Sequence, residues 1–366
     1  MNIKLKNTFF GIVVLSGICG IFAYHNPGYA EENTPAEGTS SYYNDKMISA
    51  EKFDAVTKIM DAGVDKFQAQ KGMLIIADAA DSAIVASYTT DKTPAIDKEL
   101  YEAGSVYKTF TVAMGLESGS ITDEDLFDTS EPLEVGGKKI TDPHGSHGML
   151  SPQDVLVESS NIGATRIALK TGGKYQYDFL DKLGLLSEIN AYGISSVAPR
   201  FPEKEKWINS EILIATISYG YGVADTPLHI ISAYSAIVNG GKYHKPSFEK
   251  IDNKEGVDVI SEENSLKMRE YLRKVVTSGT AKKADSDKYV LMGKTGTSQK
   301  IDPQTGKYDE EQVVSSFVGN FEHDGTNYAI LVMLDDPKAS KETYGYKTAG
   351  WNAVPIAKEV IEEFIK

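Results

Sequence analysis

Strand-like runs stand at both ends of this chain's body, with a long helical stretch between them. No other feature restricts its possible folds as much. Residues 73–78 and 83–87 are short apolar runs joined by a polar turn, as paired strands are. Residues 289–294, 313–321 and 328–334 regain that character near the C-terminus. In between, the apolar spacing is helical: Ser151-Pro152 opens one helix, 161–170 forms another closed by Gly172-Gly173, and 175–183 follows, ending at Gly184. Helices over 207–217, 227–238 (stopped by Asn239-Gly240-Gly241) and 263–278 complete the set. Amphipathic helices over 50–68 and 352–365 flank the strands. The pattern predicts an α+β fold. A largely antiparallel five-stranded sheet carries the terminal helices, and an all-helical lobe is inserted into it.

With 366 residues, 41% hydrophobic and 25% charged, the chain can bury a large core. A formal charge of −14 argues against nucleic acid as a partner. The single cysteine, Cys19, lies in an N-terminal apolar run, which leaves the body without a disulfide or thiolate metal site. Lys4 and Lys6 precede that run (residues 9–23), and Gly28-Tyr29-Ala30 follows with small-x-small spacing. Residues 1–30 therefore read as a cleaved export signal or an N-terminal anchor, and either places the body outside the cytoplasmic membrane. Residues 31–50 read as a polar linker, and 51–366 as one composite domain. Its sheet lobe spans about 51–104 and 280–366, its helical lobe about 105–279.

At the seam of the two lobes lies Tyr101-Glu102-Ala103-Gly104-Ser105-Val106-Tyr107-Lys108. Gly104 permits a tight turn into a helix that carries Val106, Phe110, Ala113 and Met114 on its apolar positions. Ser105 and Lys108, three apart, share one helix face. A buried amine that has lost its proton can serve a neighbouring hydroxyl as base, and free N–H groups at a helix start can hold an oxyanion. S-x-x-K alone is weak evidence, since Ser49…Lys52 and Ser247…Lys250 share the spacing. Neither of those opens an apolar helix after a glycine.

Two further elements add weight. Ser159-Ser160-Asn161 falls between two predicted helices, and Lys294-Thr295-Gly296-Thr297 ends a predicted strand. A loop serine and asparagine can relay a proton and hold an amide. A strand lysine can attract a carboxylate, while Gly296 lets a peptide approach the strand edge. A second K-T-G, Lys170-Thr171-Gly172, ends a helix and reads as a cap. His144 and His147 have no nearby third ligand and read as loop architecture rather than a metal site. Asp335-Asp336 reads as a solvated strand end.

In this order, the three motifs resemble those of the transpeptidase domain of class B (monofunctional) penicillin-binding proteins. Gly145-Ser146-His147-Gly148, residues 214–222 with Thr226-Pro227-Leu228, and Ser278-Gly279-Thr280-Ala281 extend the resemblance over residues 71–366. It implies a peptidoglycan D,D-transpeptidase of the fold shared with serine β-lactamases. Ser105 is then the nucleophile and Lys108 its base; Ser159 relays a proton, Asn161 orients the substrate amide, and Lys294 with Thr297 holds the terminal carboxylate. The substrate strand is Thr295, Gly296 and Thr297, with N–H groups of Ser105 and Thr297 forming the oxyanion hole. Implied ligands are D-Ala-D-Ala stem peptides and β-lactams, with no cofactor and no metal. A glycosyltransferase or wall-assembly complex is the implied partner. Ala103 stands where the family often has Pro, Tyr107 where Phe is common, and residues 31–70 are too few for the family's usual N-terminal domain. The alternatives are a D,D-carboxypeptidase or serine β-lactamase of the same fold, and a non-catalytic sensor of β-lactams or muropeptides.

Overall fold

The computed structural model describes residues 40–366, apart from 144, 146 and 303. Residues 1–30, read as a signal or anchor, lie outside the described residues, as does His144.

Six strands form one antiparallel sheet: β1 (Ser41–Tyr43), β2 (Lys71–Asp78), β3 (Ala83–Thr89), β4 (Leu291–Ile301), β5 (Tyr308–His323) and β6 (Thr326–Asp335). Their order is β1-β3-β2-β6-β5-β4, so the early and late ends of the chain meet where β2 pairs with β6. β2 and β3 are buried almost throughout. The cause is cover on both faces. Helix α1 (Ala50–Phe67) and the C-terminal α9 (Ala353–Phe364) lie on one side. On the other lie α7 (Pro227–Val238) and α8 (Glu262–Thr277). α1 and α9 pack so closely that a Cβ on Gly63 would stand 2.5 Å from Ile356 Cδ1.

Helix α2 (Tyr107–Glu117) is the hub of the inserted part, and every residue from Tyr107 to Leu116 is buried. Around it lie α3 (Pro152–Val157), α4 (Asn161–Thr171), α5 (Gly173–Lys182), α6 (Glu211–Ser218), α7 and α8. Side-chain caps fix several starts: Ser151, Ser160, Thr226 and Ser261 each accept a backbone N–H of the first turn.

Four expectations need correction, and one is Asp335-Asp336: read as solvated, both are buried, Asp335 paired with Lys300 and Asp336 with Lys338. The sheet has six strands, because β1 arises inside the stretch read as a linker and pairs with Tyr88, Ser87 and Ala86. Three residues are too few for a period to register. What holds them is tertiary: the Tyr42 hydroxyl donates to the Phe248 carbonyl, with the two rings 4.5 Å apart. The inserted part is not all-helical. Short ribbons pair Phe127–Asp128 with Met149–Leu150, Leu133–Val135 with Lys138–Ile140, and Asn190–Ala191 with Ile194–Ser195. The helix expected over 207–217 is two, Lys204–Ile208 and α6, broken at Asn209-Ser210. There Asn209 Nδ2 donates to the Glu205 carbonyl at 2.7 Å and competes with the ladder.

Candidate active site

The chain enters α2 through a 3-10 turn, Gly104–Val106, and Gly104 has φ +54°. Only glycine suits this place, since a Cβ would stand 2.6 Å from the Thr297 carbonyl oxygen of β4. The turn is thus pressed against β4, the last strand of the sheet. Gly296 is under the same pressure from the other side, with a Cβ there 2.4 Å from the Ala103 carbonyl oxygen.

One helical turn on, Lys108 Nζ donates to Ser105 Oγ at 2.8 Å. The same amine reaches the Ser159 carbonyl at 2.5 Å and Ser159 Oγ at 3.2 Å. Lys294 Nζ approaches Ser159 Oγ from the strand at 2.9 Å and the Thr295 carbonyl at 3.1 Å. Ser105, Lys108, Ser159 and Lys294 therefore form one hydrogen-bonded row contributed by three separate elements.

Both lysines are 0% exposed, and neither forms a salt bridge among the described residues. Burial pushes Lys108 well below the usual amine range, and the neighbouring Lys294 adds to this while Asp142 opposes it. Burial alone brings Lys294 down to about 7. The row thus holds, beside the Ser105 hydroxyl, an amine that gives up its proton more readily than a solvated lysine does.

Ser159 has φ +56°, the left-handed region that a non-glycine residue occupies only when its surroundings impose it. Ser160 caps α4, accepting the Gly163 N–H at 2.9 Å and donating to Asp142 Oδ2 at 2.6 Å. Asp142 Oδ1 in turn accepts the Ile162 N–H at 2.9 Å. Asn161 opens the helix, and its Nδ2 donates to the Thr141 carbonyl at 2.9 Å. It borders the row without bonding to it. Of the strand letters, Thr295 turns its hydroxyl to Thr280 at 2.6 Å, and Thr297 Oγ1 accepts the Ala349 N–H at 3.3 Å.

The look-alike motifs take structural posts. Ser49 caps α1, and Lys52 donates to the Phe364 carbonyl at 2.8 Å. Lys250 pairs with Asp78 at 2.7 Å, while the Ser247 hydroxyl binds Lys254 at 2.7 Å. Lys170 pairs with Asp125 at 2.7 Å on the surface, and Gly172 caps α4 with φ +93°. His147 lies 3.6 Å from Glu158.

Sequence reasoning missed two carboxylates here. Asp142, just described, braces the Ser159 loop. Glu102 accepts the Gly222 N–H at 3.1 Å and the Tyr308 hydroxyl at 3.1 Å, and burial pushes it up to about 7. A single acid in a loop carries no pattern, so neither had a signal to read. The Tyr219–Gly222 run packs on the Gly104–Val106 turn: a Cβ on Gly220 would stand 2.2 Å from the Gly104 carbonyl oxygen.

Residues 72–362 match the penicillin binding protein transpeptidase domain. A curated relative, the probable peptidoglycan D,D-transpeptidase FtsI of Caulobacter vibrioides, is 35% identical over 273 residues, covering 72% of this chain and 46% of the relative. Stage V sporulation protein D of Bacillus subtilis is 31% identical over 284 residues, covering 72% and 42%. The chain thus spans about half the length of the curated relatives it matches. Among solved structures, the transpeptidase domain of Burkholderia pseudomallei penicillin-binding protein 3 superposes with a TM-score of 0.77 at 26% identity, over 87% of this chain and 94% of that one. A fold of this kind, a match running through nearly all of the described residues and relatives above 30% identity agree, and the chain belongs to the class B penicillin-binding protein transpeptidase family.

Proposed function

We propose that the chain is a serine-type peptidoglycan D,D-transpeptidase that also takes up β-lactams, and that Ser105 carries the acyl group. The observation that carries this reading is the unbroken row Ser105–Lys108–Ser159–Lys294 with both amines buried. Lys108, neutral, takes the Ser105 proton as Oγ attacks the carbonyl between the two D-Ala residues of a stem peptide. N–H groups of Ser105 and Thr297 hold the oxyanion, each such donor being worth about 2.7–4 kcal/mol of barrier. The C–N bond then breaks, and a proton passing through Ser159 leaves with the amine of the terminal D-Ala. The acyl-ester on Ser105 is consumed by the amine of a second stem peptide, which closes the cross-link. Lys294, protonated, attracts the terminal carboxylate with Thr297 beside it, Asn161 faces the substrate amide, and Thr295 and Gly296 supply the strand edge. A β-lactam acylates Ser105 in the same way, but its leaving nitrogen stays tethered.

Residues 40–104 and 280–366 form the sheet lobe of this unit, and residues 105–279 the lobe that carries most of the helices. The activity belongs on the outer face of the cytoplasmic membrane, where the N-terminal 30 residues would deliver or hold the body. A glycosyltransferase that makes the glycan strands is the partner class such an enzyme requires.

Intact-mass spectrometry with benzylpenicillin, sampled from seconds to hours, tests the reading. One stable adduct on Ser105, absent in Ser105→Ala, is expected. An adduct that decays while hydrolysed penicillin accumulates moves the assignment to the hydrolytic alternatives. Labelling that persists in Ser105→Ala removes Ser105 as the nucleophile.

A further inference from the structure

Ser105 is held between two residues that share one partner. Tyr101 exchanges both backbone hydrogen bonds with Asp225, at 2.9 and 3.0 Å. On the other side of Ser105, the Tyr107 hydroxyl donates to Asp225 Oδ2. Both residues are 1% exposed, and Asp225 Oδ1 has no hydrogen-bond partner among the described residues. Asp225 directly precedes Thr226, the cap of α7. All twelve residues of α7 are buried, and the helix packs on β2, β5 and β6. The partner of this segment is therefore seated on a helix that is buried along its whole length.

The attachment continues on either side of this point. Thr111, one turn beyond Tyr107, donates to the Ser218 carbonyl at 2.8 Å, Gly220 lies against Gly104, and the Gly222 N–H meets Glu102. Residues 218–225 thus run alongside 101–111 and touch it repeatedly. Every other bond in this row uses a backbone group on at least one side. The Tyr107–Asp225 bond joins two buried side chains, and it does so at the residue next to Lys108.

A buried polar pair of this kind does little for the fold as such. Apolar side chains of the same shape generally serve stability as well or better. What the pair supplies is direction, because a phenol bonded to the buried Asp225 carboxyl group fixes the rotation of α2 about its axis. That rotation decides where Ser105 Oγ and Lys108 Nζ stand against the edge of β4. We propose that Tyr107 and Asp225 are positioning residues which, with the Tyr101 backbone pair, clamp the nucleophile turn at two points. The proposal rests on Ser105 being the acylated residue. Displacements of about 1 Å at such a centre cost on the order of a hundredfold in rate, so a modest slackening is measurable.

The test separates non-covalent binding from acylation, with benzylpenicillin as probe and the full chain. Tyr107→Phe is expected to lower the acylation rate constant about tenfold and leave the non-covalent dissociation constant unchanged. Asp225→Asn, whose amide oxygen still accepts from the Tyr107 hydroxyl, is expected to stay within about twofold of the parent rate. A parent-like rate in Tyr107→Phe overturns the proposal, as does an Asp225→Asn variant as slow as Tyr107→Phe. Amide exchange without any penicillin supplies a second, independent readout. Residues 101–111 of Tyr107→Phe should exchange about tenfold faster while β2 and β6 keep their parent rates. Equal acceleration everywhere would show that the pair merely holds the fold, and no acceleration at 101–111 would show that it holds nothing; both overturn the clamp. Should the parent chain take no penicillin, the acyl-enzyme reading fails, and the exchange experiment still decides the clamp.

Discussion

Lys108 and Lys294 reach the same hydroxyl from opposite sides, at 3.2 and 2.9 Å, so only one of them can comfortably carry a proton. Their unequal surroundings favour Lys108 as the one that gives its proton up. Lys108 is depressed by burial and by Lys294, whereas Lys294, depressed by burial alone, still titrates at about 7. Acylation by a carboxylate-bearing substrate should therefore rise with pH as Lys108 loses its proton. It should fall again as free Lys294 loses its own near pH 7. The kcat/KM profile of the parent checks this, and a profile still rising through pH 9 would remove Lys294 as the carboxylate's partner. Lys108→Ala should cost roughly 10²–10⁴ in acylation rate, the usual worth of a general base. Lys170→Ala should leave the rate untouched while Lys294→Ala slows it strongly, and penicillin labelling of the pair decides. Equal behaviour would mean that position on a strand rather than on a helix end does not matter.

At the scale of elements, three surfaces press on one turn. Gly104, Gly220 and Gly296 are the places where β4, the 218–225 segment and the Ser105 turn touch without side chains between them. Gly104→Ala should cost at least about 1–2 kcal/mol for the left-handed backbone alone, beyond the clash with the Thr297 carbonyl. Thermal denaturation and penicillin labelling should both report that loss, and an unchanged melting point would show that the turn relaxes freely. This is also where the limit of sequence reading lies. Ser105, Lys108, Ser159 and Lys294 were legible because the order of the motifs, and the elements that bear them, can be read along the chain. Helix α7 was legible too, since its apolar spacing runs over 227–238 and Asn239-Gly240-Gly241 ends it. Asp142, Glu102 and Asp225 were not. Each meets its partner only through tertiary contact, Asp225 across more than a hundred residues from Tyr107. Strand β1 escaped for the same reason, its three residues being held by Phe248 and β3 rather than by any pattern of their own.

For the whole molecule, the buried amines make stability depend on alkaline pH. In the unfolded chain Lys294 regains its ordinary value of 10.5, while folded it titrates at about 7. Between those limits the unfolded state binds the extra proton, so this residue's contribution to stability rises with pH. The slope is roughly 1.4 kcal/mol per pH unit. Lys294→Met should therefore stabilise the fold most at or below neutrality, with a gain that shrinks towards pH 10. Denaturant unfolding of both chains at pH 7 and pH 9 checks the sign, and a gain independent of pH would mean that Lys294 is charged in the folded state. The place of β4 has a further consequence. A terminal strand with a free flank can recruit a second protein chain as readily as it seats a peptide, and that is a route to self-association. Here the pairing with β5 shifts register at Gln299/Lys300, which interrupts the regular ladder that begins at Leu291. The Ser105 turn lies against Gly296 and Thr297 of that run. The regular, uncovered length of the strand is shortened at both places, which works against templating of another sheet.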